Sequence, residues 1–175
     1  MSKNSFNFIV EYFVIKNPAE KAPKVRITEY GYSFRELGIT GNQKTQLFQL
    51  IKKRNRIVFS RIGQTDDLEK EASTICRTKN VVVAKNNYVS QIDELFRIVR
   101  NGLAHGHFEI YNNRLICKSF NSRGLMNGFV SLSFNTYNDI IKLVFKKWAF
   151  LTNINVVKNV LWTWGIFLRI VYFCI

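Results

Sequence analysis

The chain has 175 residues, 47% hydrophobic and 22% charged, which excludes a disordered chain and allows one domain with a sizeable core, with or without an appendage. Its formal net charge of +14 weighs against an indifferent surface and points to a polyanionic partner, nucleic acid first and an anionic membrane surface second. Three scattered cysteines, Cys76, Cys117 and Cys174, give neither a zinc site nor a disulfide framework and fit a reducing cytosol.

Met1-Ser2-Lys3-Asn4 leads into no long apolar core with a small-residue cleavage site, so no secretory signal is expected and the expected location is cytoplasmic. Residues 5–16 are rich in Phe, Ile and Val and fit the strand period as well as the helix period. Asn17-Pro18 to Pro23 reads as a loop, and Val25 to Tyr32 as a short extended segment whose aromatics suit a core better than a base-stacking surface.

From Thr40 a helix is expected, with Leu47, Leu50, Ile51, Ile57 and Val58 as its apolar stripe and Gly63 as its end. Its other face carries Lys44, Lys52, Lys53, Arg54, Arg56 and Arg61, with hardly any acids between them. Charge runs are usually solvated faces, but this one is dense enough to make those six residues the candidate RNA-backbone contacts. Asp66, Asp67, Glu69 and Glu71 suit the first turn of another helix, with Leu68, Ala72, Ile75 and Cys76 on its buried side. That spacing needs no catalytic carboxylate pair to explain it. Val81 to Ala84 either extends this helix or forms a short strand, and Asn86-Asn87 breaks the chain.

The most informative stretch follows. Ser90 and Asp93 have the form of a capping box, and Ile92, Leu95, Phe96, Val99 and Leu103 recur at helical spacing. Gly106 suits a C-terminal cap, so the spacing predicts a helix over 90–105. Its end reads Arg100-Asn101-Gly102-Leu103-Ala104-His105-Gly106-His107 and holds both histidines of the chain. Asn101 and His105 are four apart and share a face. His105 lies where the helix dipole favours positive charge. A guanidinium that forks onto phosphate oxygens, beside an imidazole that can move protons near neutral pH, suits phosphodiester chemistry.

Arg100-Asn101-Gly102-Leu103-Ala104-His105 resembles the Arg-polar-x-x-x-His signature of the HEPN superfamily (higher eukaryotes and prokaryotes nucleotide-binding domain). The resemblance implies a mainly α, HEPN-like helical domain whose motif closes a helix. Two copies would join their motifs across a homodimer. Active members are metal-independent endoribonucleases in which the RNA 2′-hydroxyl attacks the adjacent phosphate and leaves a 2′,3′-cyclic phosphate. Carried over, His105 is the acid/base, Arg100 the stabiliser of transition-state charge, and Asn101 a positioning group. HEPN toxins that pair with a nucleotidyltransferase antitoxin have Tyr two residues after the motif His. Here that position is His107, which argues against that partner and offers a supporting proton-transfer or phosphate-contacting group.

After the motif, 108–111 and 115–117 flank an Asn-rich turn and read as a small β-hairpin. His105, His107 and Glu109 make an incomplete metal set, so no metal and no cofactor are expected. Ser119 to Gly128 reads as a loop and 129–134 as a strand. Asn135 or Thr136 then caps a helix with Ile140, Ile141, Val144 and Phe145 on its apolar face. The first 147 residues form the expected HEPN-like domain. Residues 148–175 hold all three tryptophans, and Lys158 and Arg169 interrupt their apolar runs, so a buried or interface helix is favoured over a membrane span.

The expected function is therefore HEPN-type RNA cleavage, in phage defence or as a toxin. The expected partners are RNA, a second copy of the chain and an antitoxin or regulatory protein. The rivals are a non-catalytic RNA-binding module and a membrane-surface protein built on the C-terminal segment.

Overall fold

Short-range signals set most of the elements. The computed structural model describes residues 3–18, 33–35, 37–63, 67–74, 79–85 and 90–146. Helix α1 (Lys3–Val10) runs into a π-helical turn, Glu11–Ile15. Helix α2 (Gly41–Asn55) starts where the Thr40 backbone N–H donates to Gln43 Oε1 at 3.1 Å. It stops at Arg56, whose φ of 50° turns the chain out of the helix. Strand β1 (Val58–Ile62) follows. Helix α3 (Leu68–Thr74) has Asp67 Oδ1 accepting from the N–H groups of Glu69 and Lys70. Then come strand β2 (Val81–Lys85), helix α4 (Gln91–Ala104), and strands β3 (Phe108–Tyr111), β4 (Arg114–Phe120) and β5 (Met126–Ser133). Helix α5 (Phe134–Ile141), capped by the Ser133 hydroxyl, passes into a second π-helical turn, Lys142–Lys146.

The strands form one five-stranded sheet in the order β1-β2-β5-β4-β3. The β1–β2 pair is parallel and the other pairs are antiparallel. This corrects the mainly α, HEPN-like helical expectation. The protein is α/β with a mixed sheet, and the hairpin after the motif helix is one corner of it. Three local readings change with it. Ile57 and Val58 do not prolong the basic helix, because Arg56 reverses the chain and Val58 starts β1. Residues 81–84 are buried one after another because β2 is an interior strand covered on both faces. Much of the expected 119–128 loop is strand, with only a tight turn between β4 and β5. The segments 25–32 and 148–175 lie outside the described residues.

One sheet face carries most of the core. Phe96 on α4 stacks on Phe13 at 4.5 Å between ring centres and meets Phe34 edge-on at 5.6 Å. Leu95, Val99, Leu115, Val130, Leu132 and Tyr137 close around them. Helix α4 lies very close to the sheet because two glycines let it. A Cβ at Gly102 would stand 2.7 Å from the Cβ of Cys117, and one at Gly128 would collide with Ile98. Among the described residues, the seven-residue α3 alone covers the other face, over Leu68, Val81, Val83, Ile116, Met126 and Phe129.

Candidate active site

Helix α4 brings the motif to the corner between β3 and β4. Its start is anchored by Ser90, whose hydroxyl accepts from the Asp93 N–H at 3.3 Å. Its end is a complete Schellman turn. Gly106 takes φ +71°, its N–H reaches Leu103 O at 3.4 Å, and the His107 N–H donates to Gly102 O at 2.8 Å. His107 O then accepts from the Lys118 N–H at 2.9 Å, which leads the chain into β3. Both histidines are exposed, and their ring centres lie 6.4 Å apart.

Behind them runs a row of polar groups between α4 and the sheet. Glu94 is fully buried, and its Oε2 accepts from Arg97 Nε at 3.1 Å and Nη2 at 2.7 Å. Arg97 Nη1 donates to Ser119 Oγ at 3.1 Å and Asn127 Oδ1 at 3.3 Å. Asn101 Nδ2 donates to the same Ser119 Oγ at 3.2 Å, and Asn101 Oδ1 accepts from Arg100 Nη1 at 3.4 Å. These two contacts fix the orientation of the Asn101 amide. Asn127 reaches this row because it is the extra residue of a bulge. Ser119 pairs with Gly128 and Phe120 with Met126, which leaves Asn127 unpaired and turned toward α4.

Arg100 is half-buried, and burial lowers its guanidinium below the usual arginine range, though an arginine keeps its charge in proteins. Among the described residues it has no carboxylate partner. A partly desolvated cation of this kind gains most from an incoming anion.

The six basic residues expected to contact RNA do not join this site. Lys44 is buried and paired with Asp93 at 3.2 Å, with its ammonium over the Phe34 ring, so it is a core ion pair and not a surface contact. The sequence carried a sign of this, since Lys44, Leu47, Phe48 and Ile51 fall on one helical stripe. Lys52 is half-buried, Lys53 is exposed, and Arg54 pairs with Asp139 at 2.9 Å. Arg56 and Arg61 are exposed beside and on β1, at the sheet edge opposite β3. The structure thus joins Arg100 to Asn101 and sets His105 near His107 at the end of the same helix, and it adds Glu94, Arg97, Ser119 and Asn127, which the sequence reading did not single out.

Among the described residues, no group of three or more His, Cys, Asp or Glu side chains could hold a metal ion, and no helix is long and apolar enough to cross a membrane. No family model matches the chain, and comparison with curated proteins and with solved structures returned no match.

Proposed function

We propose that the chain is a metal-independent endoribonuclease that cuts RNA by attack of a 2′-hydroxyl on the adjacent phosphate. The observation that carries this reading is Arg100, half-buried and without a carboxylate among the described residues, beside a pinned Asn101 and five residues before an exposed His105. The motif resemblance supplies the reaction. The sheet departs from the family's helical domain, so the support lies in these side chains and not in the fold.

In the reaction the 2′-oxygen bonds to phosphorus while the bond to the 5′-oxygen breaks, with no net consumption of water. One group takes the 2′-hydroxyl proton and another gives a proton to the departing 5′-oxygen. His105 takes one of these roles, and His107, 6.4 Å away between ring centres, takes the other. Arg100 holds the equatorial phosphate oxygens as charge builds on them. Asn101 orients the guanidinium. The reading includes a homodimer in the cytoplasm, acting in phage defence or as a toxin under an antitoxin or regulatory partner.

The test is cleavage of total RNA and tRNA in EDTA by the native chain and by His105→Ala. Cyclic 2′,3′-phosphate ends from the native chain alone support the proposal. If neither protein cuts but both bind RNA, the non-catalytic binding module takes its place.

A further inference from the structure

The thinly covered face of the sheet opens next to the motif. A cleft of about 310 Å³ begins at Gly106 and His107 and continues over Ile116, Lys118 and Phe120. A second cleft of about 240 Å³ shares Glu109, Ile116 and Lys118 with it and extends to Ala72, Met126 and Phe129. The two form one groove across the outer face of β3, β4 and β5. Among the described residues α3 alone packs on that face, and its seven residues leave this part of it open.

The chemistry of the groove differs from that of the motif. Ile116, Phe120, Met126 and Phe129 give it apolar and aromatic patches among polar groups, and Phe120 meets the His107 ring edge-on at 4.8 Å. Glu109 and Glu69 line it, and carboxylates repel a phosphate backbone. Lys118, at the join of the two clefts, is the one lysine or arginine among the described lining residues. A neutral, flat, hydrogen-bonding group suits such a surface, and a string of phosphates does not. Arg100 and His105 are not among the groove's lining residues, and the His105 ring centre lies 6.4 Å from that of His107 at its end.

We propose that this groove is a base subsite for single-stranded RNA, in which the nucleotide next to the cleaved phosphate rests its base against the His107–Phe120 pair and the following base continues over Ile116 toward Phe129. Lys118 meets the phosphate between the two bases. A duplex is excluded, because its paired and stacked bases cannot enter a groove in a sheet. The assignment rests on the nuclease reading for the place of the cleaved phosphate, but its binding test needs no cleavage.

The probe is a fluorescent 2′-O-methyl RNA octanucleotide, which cannot supply the attacking hydroxyl, followed by anisotropy at low and moderate salt. Phe120→Leu keeps an apolar side chain but removes the ring, and it is expected to raise Kd about tenfold. Lys118→Gln is expected to raise Kd severalfold and to flatten the salt dependence. An abasic oligomer of the same length and charge is expected to compete poorly.

Native binding within about twofold in both groove variants, equal competition by the abasic oligomer, or no binding by the native chain would each overturn the subsite. Lys118 is partly exposed, so its variant keeps the question open to disproof even if Phe120→Leu does not fold. If groove binding is intact while EDTA-resistant cleavage is absent, the subsite stands and the nuclease reading falls.

Discussion

Arg114 and Arg100 are both drawn into the protein, one at each end of the sheet–helix layer, and their surroundings differ. Arg114 donates from Nε to Ser131 Oγ at 3.3 Å and from Nη2 to Asn80 Oδ1 at 2.9 Å, to Ser131 O at 3.1 Å and to Lys79 O. Asn80 passes the connection on to Asn55 O at 2.8 Å and Thr136 Oγ1 at 2.9 Å. That network ties the ends of α2, β2, β5 and α5 together. Among the described residues Arg100 has one long bond, to Asn101, and no carboxylate partner. A buried cation held by several acceptors from different elements holds a fold together. One left half-desolvated with spare donors is placed to hold an anion.

Variants can break that contrast. The largest effect is expected on activity: Arg100→Ala should lower kcat/KM for RNA about 1,000-fold, equivalent to about 4 kcal/mol of transition-state stabilisation. The same variant should shift urea unfolding by less than about 0.5 kcal/mol. Full activity with lost stability would make Arg100 the same kind of residue as Arg114. Next comes Arg114→Met, which strands Asn80 and two carbonyls and should cost about 3 kcal/mol in urea unfolding. A loss under about 1 kcal/mol would mean that the network is dispensable.

Gly102→Ala sharpens the contrast from the packing side. The added methyl presses on Cys117 and should cost about 2 kcal/mol, with Asn101 displaced from Ser119 and cleavage falling with it. Cys117 gives the smallest effect. Burial pushes its thiol up from 9.0 to about 12, so the folded state holds a proton that the unfolded chain releases above pH 9.0. Stability from this group is full below pH 9.0 and is lost as pH rises toward 12, the direction set by the extra proton on the native state. Iodoacetamide at pH 8, read on the Cys117 peptide by mass spectrometry, should label it only in denaturant. Rapid labelling of the native protein would show that the seam between α4 and β4 opens readily.

Much of the motif region was legible because its signals are local. Ser90, the apolar spacing from Ile92 to Leu103 and Gly106 mark α4 to within a residue at either end. Asn112 and Asn113, at φ 45° and 58°, form the expected hairpin turn. The sheet was hidden. Val81 to Ala84 show no alternation because both faces are covered, and Arg56 ends α2 without a glycine or proline to announce it. The mainly α expectation came from six motif residues, which carry no information about the strands around them. The sequence reading did not single out Glu94 or Arg97, and the bulge at Asn127 gives Arg97 an acceptor beside Ser119 that no local signal announces. A one-residue slip in a ladder leaves no mark in composition or periodicity.

The polar row, the histidines and the groove mouth at Phe120 all fall between Glu94 and Asn127, on α4, β3, β4 and the start of β5, and these follow one another directly in the chain. Each connection among them is a tight turn, so little loop-closure entropy opposes their meeting. The parallel β1–β2 pair instead waits for a crossover through α3. Folding should therefore complete the corner that holds the motif first and zip on the β1 edge last. Pulse-labelling exchange would then find the β4 and β5 amides protected ahead of those of β1. A nascent chain would carry the motif, the polar row and the groove mouth in place before the opposite edge had closed.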